Sequence, residues 1–240
     1  MSDISIYGYT DIGGRKENED SGDIRIYGKN LVAVIADGLG GQGEGKTASE
    51  TAVSRLLACG SKEGFPGTKE VSRAFCAANE AILKKQLNQF HMKTTAVYLC
   101  ICKNQAIWGH VGDSRLYHFQ DGELCHYTLD HSLSQMAVAL GEIERRDIPE
   151  HPQRSRLLRA LGCEGEEAEV HEPVTLGKGR HAFLLCTDGF WEYFSDEEIG
   201  EVLHISVTAE EWLTKLHGRL KERCGSENDN NTATAVILEV

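Results

Sequence analysis

Between Thr94 and Thr128 the sequence leaves the chain little choice of pairing. Four short runs, 94–102, 105–111, 115–119 and 123–128, are rich in β-branched and aromatic residues. Lys103-Asn104 and Asp121-Gly122 stand where two-residue hairpin turns belong. Strands joined by turns this short must run antiparallel, because parallel neighbours need a crossover of about a dozen residues or more. Any fold built on a parallel sheet is therefore disfavoured before the rest of the chain is read.

The flanking pattern fills in the layers. Strands are predicted at 4–9, 23–28 and 31–36. Ala48, Ala52, Val53, Leu56 and Leu57 fall at helical spacing over 46–59, as do Val71, Ala74, Phe75, Ala78, Ile82 and Leu83 over 69–89. Residues 130–167 look irregular, a surface excursion with a short helix near 154–161. Strands follow at 170–176 and 182–187. Ser195 with Glu198, and Thr208 with Glu211, form capping boxes that open two helices. A last strand covers 232–240. Helical stripes that need a sheet to cover, on both sides of an antiparallel meander, imply a layered α+β domain.

The totals exclude several classes. A net charge of −12 argues against a nucleic-acid binder and against adsorption to an anionic membrane, since both need a basic face. The six-residue apolar run Leu31–Ala36 is far short of the roughly 20 residues that span a bilayer. The N-terminus lacks a basic start and a long apolar core, so a cytoplasmic protein is expected. Eight cysteines, none spaced C-x-x-C, read as reduced thiols and small core residues.

Acidic corners carry the chemistry. Asp37-Gly38 ends the run Leu31–Ala36, Asp188-Gly189 ends Phe183–Thr187, and Asp113 follows Trp108–Gly112. Aspartate is a poor strand residue, and one Asp-Gly pair is an ordinary turn. Three aspartates beside glycine at strand ends point to a site. Two further acidic stretches, Glu17–Asp20 and Glu227–Asn231, flank predicted strands. If Asp20, Asp37, Asp188 and Asp229 meet at one rim, like charges require cations. All-oxygen ligation suits Mg²⁺ or Mn²⁺. Two such ions can hold a bridging hydroxide and polarise a phosphoryl oxygen, with Arg15 clamping the phosphate.

In order along the chain, Arg15-x-x-Asn18-Glu19-Asp20, Asp37-Gly38-x-Gly40-Gly41, Gly112-Asp113-Ser114-Arg115, Thr187-Asp188-Gly189 and Asp229-Asn230-x-Thr232 resemble the motifs of the protein phosphatase 2C family. Ala48-Ser49, Asp130-His131-Ser132 and 151–162 also match it. The resemblance implies a metal-dependent serine/threonine phosphoprotein phosphatase of bacterial type. The implied fold is a four-layer α-β-β-α sandwich with two central antiparallel sheets, here one domain over 1–240. It implies that Asp20, Asp37, the Gly38 carbonyl, Asp188 and Asp229 hold two Mn²⁺ or Mg²⁺ ions. Glu19 acts through water, Asp113 helps hold a third ion, and Arg15 binds the phosphate. Residues 130–165 form a flap beside the site where substrate choice is set. A cognate serine/threonine kinase and a monomeric state are expected on the same basis. Three departures stand out: Gln42 and Lys46 replace the usual His and Glu, and Leu39 stands where many eukaryotic members carry a proposed acid.

Other readings compete. Gly40–Thr47 satisfies the phosphate-loop pattern G-x-x-x-x-G-K-[ST]. The strand ends three residues too early, however, Asp37 is the wrong charge for a phosphate cradle, and the hairpins demand antiparallel pairing. A phosphatase with an aspartate nucleophile would show Asp-x-Asp, which Asp37-Gly38-Leu39 does not. An inactive, phosphoprotein-binding relative would have lost an acidic ligand, and none is missing.

Overall fold

The structure is a computed structural model, and it describes residues 4–40, 44–61, 64–86 and 92–240. The strands are β1 (Ser5–Asp11), β2 (Ser21–Tyr27), β3 (Asn30–Ala36), β4 (Gly38–Leu39), β5 (Lys93–Thr94), β6 (Ala96–Cys102), β7 (Gln105–Val111), β8 (Arg115–Gln120), β9 (Glu123–Tyr127), β10 (Glu169–Val170), β11 (Val174–Thr175), β12 (Arg180–Cys186) and β13 (Asn231–Glu239). The helices are α1 (Glu44–Leu57), α2 (Thr68–Leu83), α3 (Leu133–Ala139), α4 (Asp188–Trp191), α5 (Asp196–His204) and α6 (Ala209–Arg223).

Two sheets face each other, ordered β1-β13-β12-β8-β9 and β10-β7-β6-β3-β2, with β11 also on β7. Every pairing is antiparallel. The meander expected over 94–128 spans both sheets. β6 and β7 pair in one, β8 and β9 in the other, and the chain crosses between them at Gly112–Ser114. Asp121 and Gly122 both take positive φ, 52° and 90°, as the turn between β8 and β9 requires.

The pleat of β3 shows how the layers form. Leu31, Ala33 and Ile35 point between the sheets and meet Leu116, Phe183, Leu185 and Val236. Val32 and Val34 point the other way, onto Ala48, Leu56, Phe75 and Ile82 of α1 and α2. The far face of the other sheet is covered by Trp212, Leu213 and Leu216 of α6 with Val202 of α5. A strand buried on both faces reads as continuous apolar sequence, and all seven residues of β3 are buried. The result is the expected four-layer α-β-β-α sandwich.

Three local expectations differ. No helix forms over 154–161. The backbone there is committed elsewhere: Leu133 N–H donates to Arg156 O (3.0 Å), Leu158 N–H to His131 O (2.8 Å) and Leu161 N–H to Thr94 O (2.9 Å). The helix of this segment is α3 instead, opened by Ser132, whose hydroxyl accepts from Gln135 N–H (3.2 Å). A 3₁₀ turn follows at Arg145–Glu150. The strand expected over 170–176 is split into β10 and β11, with Pro173 between them, unable to donate to a ladder. The second helix ends at Leu83, and 87–89 lie outside the described residues. No described helix is long and apolar enough to cross a membrane.

Candidate metal centre

β3, β7 and β12 all run toward one end of the sandwich, and β2 and β13 start there. Hence Asp37, Asp113 and Asp188, which follow strands, and Asp20 and Asp229, which precede them, converge. A cavity of about 470 Å³ opens at this end, lined by Arg15, Glu19, Asp37, Gly38, Asp113, Asp188 and Asp229. From the flap side it is walled by Ser155 and Leu157.

Each corner is fixed by its own hydrogen bonds. The Asp37 N–H donates to Thr95 Oγ1 (2.9 Å), and its carbonyl accepts from Thr95 N–H (2.9 Å) and Thr94 Oγ1 (2.7 Å). Thr95 Oγ1 also lies 2.6 Å from Ser114 Oγ, joining this corner to the one at Asp113. The Asp113 carbonyl accepts from Trp191 Nε1 (2.9 Å). Thr187 and Thr232 exchange backbone and hydroxyl bonds that align the starts of α4 and β13. Asn230 ties down the loop before β2: its Oδ1 accepts from Glu19 N–H, and its Nδ2 donates to Ile12 O and Glu17 O.

Glycine is needed at two of these corners by contact, not by turn type. A Cβ on Gly38 would lie 2.2 Å from Gly45 O, and one on Gly189 would lie 2.1 Å from Asn230 O. The bare backbone at Gly38 lets the start of α1 close against the rim.

Asp20, expected among the ligands, is 2% exposed. Its Oδ2 accepts from Thr187 Oγ1 (2.9 Å), which ties it to the Asp188 corner. Arg15 stands at the mouth with its Nη2 2.7 Å from Asp229 Oδ2. Lys46 does not face a phosphate cradle. Its Nζ donates to Asp20 O (3.1 Å) and lies 3.7 Å from Glu50. Gly41 and Gln42 lie outside the described residues.

The electrostatics are those of crowded acids. Burial, then Asp188 and Asp20, push the Asp37 carboxyl far above the ordinary range. Asp188 is raised to about 6 by burial and then by Asp229. Asp20 is raised to about 7, again mainly by burial, with Thr187 and Thr232 opposing the shift. Asp113 is raised by burial and Asp188, and Glu19 by burial and Glu17. The carboxylates of Glu19, Asp37, Asp113, Asp188 and Asp229 around one polar cavity, with the Gly38 backbone beside them, form a hard, all-oxygen donor set. It fits divalent cations such as Mg²⁺ or Mn²⁺, and bound cations would remove the repulsion that raises these pKa values.

Two residues near the site carry no sequence signal as strong as an Asp-Gly corner. Glu192, one helical turn beyond Asp188, is raised to about 7 by burial and by Asp188, and it accepts from Arg154 Nε (2.8 Å). The i, i+4 spacing from Asp188 was the available clue. Thr95 sits in a strand run that reads as core, and its neighbour Ser114 is the only hint of a polar link.

Known proteins share this fold. The protein phosphatase 2C family model matches residues 7–228. The serine/threonine phosphatase stp of Listeria welshimeri is 34% identical over 217 residues, covering 85% of each chain. Serine/threonine protein phosphatase PstP of Mycobacterium tuberculosis is 34% identical over 230 residues, 94% of this chain but 43% of that longer protein. The crystal structure of the Mycobacterium tuberculosis phosphatase PstP/Ppp superposes with a TM-score of 0.84 at 32% identity, covering 99% of both chains. A structure of the catalytic domain of PstP in complex with two manganese ions gives 0.83 at 27% identity, covering 98% of this chain and 99% of that one. The family model spans nearly the whole chain and the relatives match it over most of its length, so this chain belongs to the protein phosphatase 2C family.

Proposed function

We propose that the cavity at Asp37, Asp188 and Asp229 carries out metal-dependent hydrolysis of phosphoserine and phosphothreonine on proteins, the activity that family membership assigns to the chain. The observation that carries this reading is the convergence of Glu19, Asp37, Asp113, Asp188 and Asp229 on one cavity with Arg15 at its mouth. Asp20, Asp37, Asp188, Asp229 and the Gly38 carbonyl would hold two Mn²⁺ or Mg²⁺ ions, and Asp113 would help hold a third. When bound, such ions supply an activated water and neutralise phosphoryl oxygens.

The chain's own residues do the rest. Glu19 orients water at the cavity wall. Asp20 also accepts from Thr187 Oγ1 and through it keeps the Asp188 corner in place. Arg15 has a guanidinium within reach of the cavity and binds the phosphate by paired N–H donors. Among the described residues that line the cavity there is no imidazole to protonate the leaving alkoxide, and Leu39 is one of them. The proton would come from a water that a bound metal ion activates. The whole of 1–240 acts as one catalytic domain with 130–165 as its flap. It works as a cytoplasmic monomer opposite a cognate serine/threonine kinase.

The experiment is hydrolysis of a phosphothreonine peptide with and without Mn²⁺. Turnover that depends on the metal is expected. No turnover with Mn²⁺ or Mg²⁺ would leave only the phosphoprotein-binding reading.

A further inference from the structure

Asp130-His131-Ser132 matches a family motif, yet the chemistry above gives it no task. His131 sits where the flap leaves the sandwich. Its backbone N–H donates to Gly112 O (2.9 Å), and Gly112 N–H donates back to its ring Nδ1 (3.1 Å). Its carbonyl accepts from Leu158 N–H (2.8 Å), where the flap returns. The ring stacks on His110 at 4.5 Å and 9°. His110 in turn donates from Nε2 to Leu129 O (2.8 Å), which fixes that ring too.

Nδ1 accepts from Gly112 N–H, which puts the ring proton on Nε2, 3.4 Å from Glu169 Oε2; in that tautomer the Arg159 Nη1 beside Nε2 makes no hydrogen bond to the ring. Burial, and then His110, lower the pKa of the ring to about 4, so it is neutral near pH 7. The same bonds argue against a metal here. The ligand atoms of His110, His131 and Glu169 all lie within 4.8 Å of one another. A metal on Nε2 would need the lone pair that the proton occupies, and Arg159 Nη1 stands 3.2 Å from that nitrogen.

Gly112 depends on such support. Its φ is +97°, and a Cβ there would lie 2.6 Å from Thr95 Cγ2. The next residue is Asp113, whose carbonyl is held from the other side by Trp191. We propose that His131 is a positioning residue that fastens the outgoing and returning ends of the flap to Gly112 and so sets the Asp113 carboxylate against the cavity. The role given to Asp113 rests on the proposed function; the fastening itself does not.

Two variants test it. In His131→Asn, Oδ1 can take the place of Nδ1 as acceptor; His131→Leu keeps bulk and loses the acceptor. Hydrogen exchange is read at the Gly112 and Leu158 amides, with Val34 and Leu184 in the sheets as controls. His131→Leu should speed exchange at Gly112 and Leu158 by about tenfold and leave the controls unchanged. It should weaken the loosest Mn²⁺ site about tenfold and lower kcat with little change in KM. His131→Asn should restore each quantity to within about threefold of the parent protein. Unchanged exchange at Gly112, equal acceleration of all four amides, or an Asn variant that behaves like Leu would each overturn the proposal. Absence of Mn²⁺-dependent turnover in the parent protein would sink the proposed function instead, and the exchange data would still report on His131.

Discussion

At one end of the sandwich β3, β7 and β12 run out into Asp37, Asp113 and Asp188. At the other end the same sheets close around Ile4, Ile6, Leu31, Ile101 and Leu238, which line a cavity of about 640 Å³. The far end gains by removing apolar surface from water, at about 25 cal/mol per Å². The acidic end gathers charges that repel one another and raises their pKa values to do so. One end holds the fold together, and the other works against it until cations arrive. Substitutions at the two ends should therefore have opposite signatures, which is the way to test the contrast.

The largest effect is expected from Asp188→Asn. It removes the charge of a proposed metal ligand, and turnover should fall by at least about 100-fold, beyond the loss typical of groups that only support a metal ligand. In chelator the same variant should melt at a higher temperature than the parent, because one member of a repelling group has been neutralised. Thermal melts with and without Mn²⁺ read both. Near-normal turnover would remove Asp188 from the centre. A lower melting temperature in chelator would show that the acidic end is not under the strain described.

The pH dependence sharpens the same point. Asp20 at about 7 and Asp188 at about 6 lie above the 3.8 of an ordinary aspartate. Through that window the metal-free fold binds more protons than the unfolded chain. Its stability is full below the ordinary carboxylate range and is lost as pH rises through the raised values. Metal binding runs the other way, since the ligands must be ionised. In chelator the melting temperature should drop between pH 5 and 8, and the increment added by saturating Mn²⁺ should grow. A flat profile in chelator would mean that the carboxylates are not coupled.

Ile101→Ala probes the apolar end. Ile101 is 1% exposed and packs between the sheets. Its loss should cost about 2–3 kcal/mol, in the lower part of the range for such truncations because it enlarges a cavity already present. Urea unfolding reads the cost. Mn²⁺ affinity and turnover below the melting range should be unchanged, and a parallel loss of both would deny the separation of the two ends.

The sequence made the two ends legible to different degrees. The apolar end and the layers follow from period: β3 alternates Leu31, Ala33 and Ile35 against Val32 and Val34, and hairpin turns set β6 against β7 and β8 against β9. The acidic corners were legible because Asp beside Gly at a strand end has no packing reason. What period cannot show is the direction of a side chain whose partner is remote. Asp20 and Asp37 read alike, but of the two the Thr187 hydroxyl, 167 positions from Asp20, bonds to Asp20 Oδ2 alone. The helix within 130–165 was misplaced for a related reason. Residues 154–161 have helical spacing, but their backbone bonds to Thr94 and to 131–133 prevail over local propensity. Glu192 and His131 likewise take their importance from neighbours that only the fold supplies.

The smallest effect should come from the most conspicuous motif. Gly40–Thr47 has the letters of a phosphate loop, and Lys46 would be its anchor. A phosphate-loop lysine faces the phosphates over a strand of a parallel sheet. Here β3 lies in an antiparallel sheet, Asp37 follows it, and the Lys46 ammonium is bound to Asp20 O and stands near Glu50. Lys46 at 34% and Glu50 at 62% side-chain exposure make a pair worth well under about 1 kcal/mol. Lys46→Ala should therefore leave turnover within about threefold and stability within about 1 kcal/mol. Neither form should bind nucleotide in calorimetry. Tight nucleotide binding abolished by this one change would instead make Lys46 a phosphate anchor and move the chemistry from Asp37 into the loop beside it.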